Sequence, residues 1–464
     1  MSGKEPDKSG PNIMTASFAL TANRSVASDI TPIERDTMRR IFRHILPILT
    51  LGYFCASLDR ANVGMAATTM KTDLGLSNAQ FGFGAGIFFF GYLVAEIPSN
   101  LVLNHVGARR WVSRILMTWG MVSALTAVVW NEWSLYGVRF LLGVAEAGFF
   151  PGVLLYITWW LPSRYRSRMT ALVMAAGVFS QTVGPPMGGL LLRLQGVFGL
   201  AGWQWLFLVE SLPTFAACLA TWMLLTDRPA KASWLAPEQK TWLVQRLASE
   251  DMQREAIRKY SLHQALGNSK IWALTAAEFG HQVVGYGLVF FMPLIMRGLG
   301  VATRWVGVVT ALPYLCGFLA MIAWGYHSDR TGERVWHAAG TCFLVAVGLV
   351  ACLLVGAGHP IAMMLLICIT VMANQSFAPC FWSIPGTMLT GAAAAGGLAM
   401  INSFGNLGGW LGPSLYGMVK DETGNTGIAL FVLAIGPLIS GIILLLVGHD
   451  QRLECIPTRS STAE

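Results

Sequence analysis

The stretch VRFLLGVAEAGFFPGVLLYITWWLP, Val138 to Pro162, is apolar enough to cross a bilayer, yet it carries Arg139 and Glu146. An ionised side chain near the middle of a membrane costs roughly 2.5–3.5 kcal/mol on insertion scales, so its presence calls for a partner or a task. A separation of seven residues brings the two charges to nearly the same helix face, about 10 Å apart along the axis. One face is polar and the rest is greasy, which is the pattern of a helix lining a cavity inside a bundle.

The remainder of the chain fits that reading. Of 464 residues 54% are apolar and only 12% charged, whereas an ordinary soluble globule carries about 25% charged residues. Apolar runs of membrane-crossing length are expected at 45–66, 82–103, 112–130, 135–157, 169–192, 203–225, 271–296, 304–326, 335–356, 360–381, 396–419 and 427–448. The implied fold class is an all-α membrane protein with twelve transmembrane helices in two six-helix bundles. Residues 1–40 read as a disordered cytoplasmic tail without the apolar core of a cleavable signal. Residues 41–225 form the N-terminal bundle, 226–270 a cytoplasmic linker, 271–450 the C-terminal bundle and 451–464 a second cytoplasmic tail. Within the linker, APEQKTWLVQRL reads as a helix starting near Pro237, with Trp242, Leu243 and Leu247 on its apolar side.

The net charge of +8 is distributed unevenly. With both termini inside, 25 of the 32 Lys and Arg residues face the cytoplasm and five face the other side; Arg60 and Arg139 lie within spans. That asymmetry reports topology and not nucleic-acid binding. A multi-pass protein of a cell membrane, a bacterial inner membrane in particular, is expected, with lipid as its surroundings and a monomer as its state. The cysteines show no close pairing and read as buried apolar thiols. No metal site, cofactor motif, nucleotide-binding signature or catalytic set is apparent, so neither an enzyme nor a primary pump is expected.

Further polar groups stand out within the spans. The first span places Asp59 beside Arg60, in SLDRANVG. Buried carboxylates can carry protons near neutral pH, while a buried arginine stays charged. Two cationic and two acidic groups in the same half of a membrane bundle read as a site; the rival reading is a mutual Asp59–Arg60 ion pair that only fixes helix packing. Tyr92 and Gln181 are further ligand candidates. In the C-terminal half, Trp382, Ser383 and Asn402 offer neutral hydrogen-bonding groups and shape. Glu96 reads as a helix-end group serving a gate. Glu210, and the Glu278/His281 pair, read as packing or interhelical polar contacts.

A short basic turn, NHVGARRW after the second span, has a cousin in GYHSDRTGER after the eighth, with Gly107 and Gly332 in equivalent places. Repeated six-span halves point to a two-bundle transporter.

The segments LDRANVG, FFFGYLVAEIPSN, RFLLGVAEAGFFPG and GWQWLFLVESLP resemble the major facilitator superfamily, in its anion:cation symporter branch, and within it the tartrate, phthalate and sugar-acid group. The resemblance covers residues 40–450. It implies alternating access and uptake of organic anions with protons or another cation. It also implies that Asp59 and Glu146 form the protonatable pair and that Arg60 and Arg139 form the basic part of the central site. The superfamily's loop signature GxxxDRxGxR is complete at Gly325, Asp329, Arg330, Gly332 and Arg334, which are implied gating residues. In the first half Asn104 stands where the Asp is expected, so that copy lacks its gating carboxylate and Glu96 is the expected substitute.

The expected function is import of a small organic anion, a hydroxylated mono- or dicarboxylate such as tartrate or an aldonate, by proton symport. The alternatives are an aromatic-carboxylate transporter, an anion exchanger, or a membrane sensor built on the same fold.

Overall fold

The computed structural model describes residues 31–256, 267–356, 358–388 and 392–448. Helices α1 (Pro32–Asp73), α2 (Asn78–Gly86), α3 (Phe88–Val106), α4 (Ala108–Leu125), α5 (Glu132–Glu146), α6 (Phe149–Trp160), α7 (Ser163–Leu191) and α8 (Gly202–Leu224) build the first half. Helix α9 (Pro237–Ala256) follows, starting at the expected proline. The second half contains α10 (Ser269–Gly298), α11 (Thr303–Thr331), α12 (Val335–Val355), α13 (Pro360–Phe381), α14 (Ser383–Met388), α15 (Ala392–Gly405), α16 (Gly408–Thr423), α17 (Thr426–Leu433) and α18 (Ile435–Val447). Ten of the spans are long and apolar enough to cross a membrane by composition alone. Helix α7, rich in Gly, Pro and hydroxyl residues, and the broken pair α15–α16 complete the twelve.

The first helix begins well before residue 40, where the sequence reading placed disordered tail. Thr31 Oγ1 accepts from Glu34 N, Pro32 occupies the first turn, and Glu34 complements the helix dipole. Residues 1–30 and 451–464, the rest of the expected tails, lie outside the described residues.

Four spans that read as single apolar runs are interrupted, and a fifth, 360–381, is followed at once by a further short helix. Helices α2 and α3 meet at Ile87, α5 and α6 at Ala147–Gly148, α13 and α14 at Trp382, α15 and α16 near Leu407, and α17 and α18 at Ala434. The break after Glu146 requires Gly148, whose φ of +85° is a left-handed conformation that a residue with a Cβ adopts at a steric penalty.

The two halves meet through close backbone contacts at the end of the molecule away from the basic loops. A Cβ on Gly82 would sit 2.2 Å from Pro413 O, one on Gly417 2.2 Å from Asn78 O, and one on Gly307 2.2 Å from Pro185 O. Small residues allow this approach in lipid, where helix association relies on packing and hydrogen bonds. Asp421 on α16 accepts from Asn78 Nδ2 (2.6 Å), Asn78 N (3.1 Å) and Ala79 N (2.7 Å), capping the start of α2 from the opposite bundle.

Candidate functional site: a charged centre between the two bundles

The α3–α5 crossing fixes the floor of the site. A Cβ on Gly91 would lie 2.1 Å from Phe140 O and one on Gly143 2.0 Å from Phe88 O, so neither position accepts a side chain without moving a backbone. The contact sets Phe88 beside the charges. The Arg60 and Arg139 guanidinium carbons lie 5.5 and 5.2 Å from its ring centroid, within cation–π range.

Glu146 is the last residue of α5 and is 1% exposed. A helix C-terminus disfavours negative charge. Arg60 of α1 offsets this, its Nη2 donating to Glu146 Oε1 in a half-buried ion pair. Arg60 Nη1 also donates to the Tyr286 hydroxyl at 3.3 Å. Tyr286 belongs to α10, so the charged centre is touched by both bundles. Asp59, neighbouring Arg60 in sequence, points elsewhere and accepts from Ser123 Oγ on α4. Arg139 does not join Glu146 on a shared pair; its Nη2 donates to Ala85 O at 3.2 Å, where α2 is about to end.

The centre keeps open hydrogen-bonding capacity. Asp59 Oδ2, Arg60 Nε, Arg139 Nε and Glu146 Oε2 are buried and have no hydrogen-bond partner among the described residues. Orphaned groups of this kind are costly unless something else engages them. Two guanidinium groups and two carboxylates with spare valences can hold a carboxylate anion and accept protons.

The other candidates fall into distinct places. Tyr92 is buried, with its ring centroid 6.0 Å from that of Phe88. Gln181 on α7 accepts from Gln375 Nε2 on α13 at 3.0 Å, again between bundles. Asn402 is not beside the charges: its Nδ2 donates to Glu96 Oε1 at 3.2 Å, and Ser403 Oγ donates to the other oxygen of Glu96. Glu96 thus lies buried between α3 and α15. Trp382 caps the end of α13 with its ring against Phe381, and Ser383 Oγ donates to Cys380 O at 2.6 Å, both local contacts.

At the loop signature, Asp329 Oδ1 and Arg334 Nη2 are 2.5 Å apart, and Gly332 caps α11 with φ +73°. A Cβ on Gly325 would meet Pro379 at 3.4 Å, while Arg330 is exposed. Beside the first copy, Asp227, just past α8, accepts through Oδ1 from Arg109 N at 2.8 Å. The Glu278 carboxylate accepts from Gln282 Nε2 at 2.8 Å, and His281 stacks on Phe377 at 3.9 Å. No group of three or more His, Cys, Asp or Glu suited to a metal occurs among the described residues.

Tyr286, Ser123 and Asp227 were not read from the sequence. A phenol in YGLVFF and a serine in MVSAL are ordinary in apolar spans, and only long-range packing shows their partners.

Residues 49–413 match the family model described as Major Facilitator Superfamily. The chain belongs to this family. It is 44% identical over 431 residues to a protein of Agrobacterium vitis named "Putative tartrate transporter", covering 92% of this chain and 95% of that one. It is 37% identical to a quinolone resistance transporter of Acinetobacter baumannii, covering 90% and 96%. The fold is similar to a partially occluded, inward-open structure of the xylose transporter XylE from E. coli, with a TM-score of 0.71, 15% identity, and 89% and 98% of the two chains covered. This facilitator-superfamily chain is therefore a multi-pass membrane transporter and not an enzyme.

Proposed function

We propose that this transporter imports a small hydroxylated organic anion, a mono- or dicarboxylate such as tartrate or an aldonate, together with protons. The observation that carries the reading is the half-buried Arg60–Glu146 pair, with Asp59, Arg139 and Tyr286 around it. A guanidinium presents paired donors to two carboxylate oxygens, so Arg60 and Arg139 can each grip an anion. Glu146 occupies Arg60 when no anion is present. Protonation of Glu146 releases Arg60 for the cargo, and protonation of Asp59 removes a second repelling charge. A loaded, neutralised centre is less costly to enclose than one holding an unpaired charge. After release of the cargo and protons, Glu146 pairs again with Arg60 and the empty carrier resets.

Glu96, hydrogen-bonded across the bundles to Asn402 and Ser403, serves the gate at the basic end, and the charge asymmetry supports reading that end as cytoplasmic. Asp329 and Arg334 lock the corresponding loop of the second half. Gln181 and Tyr92 supply neutral contacts to the cargo.

Uptake of a panel of organic anions into proteoliposomes under an imposed pH gradient tests the reading. Glu146→Gln should abolish accumulation while retaining counterflow. Accumulation unaffected by that change, or by collapse of the pH gradient, rejects proton symport.

The second reading is transport of aromatic acids. Phe88, Phe89 and Tyr286 cluster at the centre, the Phe89 and Tyr286 centroids being 4.5 Å apart. Benzoate-type solutes in the same panel, accumulated in preference to hydroxy acids, would select it.

A further inference from the structure

Away from the central site, a groove of about 410 Å³ runs between α4 and α8 on the outer surface of the first bundle. Arg110 and Arg114 stand at it, and Met117, Phe215, Leu219 and Trp222 line its walls. Leu219 is 59% and Trp222 49% exposed, so this wall faces the surroundings and not the interior of the bundle. Where the helices cross deeper in the membrane, a Cβ on Gly120 would lie 2.9 Å from the Phe215 ring, which ends the groove.

The charge at its mouth is uncompensated. Neither Arg110 nor Arg114 makes an ion pair among the described residues. Arg114 is half-buried, lies 3.9 Å over the Trp111 ring, and its Nε has no hydrogen-bond partner among the described residues. The nearby carboxylate of Asp227 is engaged by Arg109 N, and Arg109 Nε donates to Trp222 O at 2.6 Å. An apolar slot topped by two unpaired cations, at the basic end of a transmembrane bundle, complements a molecule with an acyl chain and an anionic head.

We infer that this groove binds one anionic glycerophospholipid of the leaflet on the basic side, its phosphodiester between Arg110 and Arg114 and an acyl chain along Met117, Phe215 and Leu219. Basic pockets between transmembrane helices bind such head groups on the side where anionic lipid is present. The occupied groove braces Trp222 and, through Arg109 and Asp227, the turn that joins the second and third spans.

The test is native mass spectrometry and thermal stability of the full-length protein titrated with phosphatidylglycerol, with phosphatidylcholine and inorganic phosphate as separate arms. Wild type should retain phosphatidylglycerol and gain thermal stability from it, and respond to neither of the other probes. Arg110→Gln/Arg114→Gln should weaken retention roughly 25-fold, from two arginines each contributing the usual attraction to an anionic head group. Arg228→Gln removes a charge at the same end, outside the groove, and should leave retention unchanged. Leu219→Trp fills the slot without touching charge, and should also lower retention; it decides the matter if the double variant does not fold. Equal retention by wild type and the groove variants overturns the inference, as does an equal loss in Arg228→Gln. Displacement by inorganic phosphate alone identifies a simple anion site and overturns it too.

Discussion

At the scale of single residues, the Arg60–Tyr286 hydrogen bond is a contact on which transport should depend. The phenol accepts from the arginine and leaves its own proton for a cargo oxygen. A hydrogen bond to a charged group contributes about 1.5–3 kcal/mol, and at 3.3 Å the lower end applies. Tyr286→Phe should therefore raise KM for the transported anion about tenfold in proteoliposome uptake, with accumulation still driven by the pH gradient. Outside the membrane, Glu333 gives a pH-dependent prediction. Burial opposes its ionisation, but His337 Nδ1 (2.6 Å), Trp336 N (2.6 Å) and His337 N (3.0 Å) donate to its oxygens and hold its carboxyl below the usual range. A depressed carboxylate stabilises the fold above its unfolded pKa of about 4.3 and loses that contribution as pH falls through the lower folded value. Glu333→Gln should lower Tm at pH 6 to 8, and the gap to wild type should close as the pH is taken below about 4. Arg60, Arg139, Asp59 and Glu146 were legible because charge in an apolar run is conspicuous. Asn402 was read as a cargo contact because nothing in the local sequence shows that Glu96, 306 positions away, engages its amide.

At the scale of elements, glycine separates close crossings from idle positions. Gly91→Ala and Gly143→Ala each drive a Cβ to about 2 Å from a carbonyl oxygen across the α3–α5 contact. Overpacking of this kind costs about 1–3 kcal/mol, so both variants should melt several degrees below wild type and lose transport through a displaced Phe88. Gly137 is the control on the same α5 helix. Nothing lies within 4 Å of its Cβ position, and Gly137→Ala should leave Tm unchanged or raise it, since alanine is favoured in a helix by about 0.5–1 kcal/mol. The helices were readable as apolar runs, but their interruptions were not. A break at Gly148 preserves the hydrophobicity of the run and changes only its direction. The early start of α1 was hidden by charge: ERDTMRR looks like a solvated tail unless the Thr31 cap and Pro32 are weighed.

At the scale of the whole molecule, the glycine contacts and the Asp421 cap hold the bundles together at the end away from the basic loops. Gly417→Val would press against Asn78 O and separate α2 from α16. Spin labels at Thr72 and Thr423 should then report a longer distance, with the population shifted toward opening at that end. An unchanged distance distribution would show that this contact does not govern the equilibrium. The two-bundle plan was legible from charge asymmetry and the repeated basic turns, whereas which end is closed follows from backbone approach that composition does not encode. The partition of charge has one more effect. Arg60 and Glu146 belong to the same bundle, and what reaches them from the other side is a neutral phenol. Rocking an unloaded carrier therefore separates no ion pair at the centre, only a hydrogen bond of modest strength. Under the proposed symport, an anion arriving without its proton would instead leave Glu146 as an unpaired buried charge. Slippage in that proposed symport would be suppressed by electrostatics, with no mechanical interlock needed to keep cargo and proton in step.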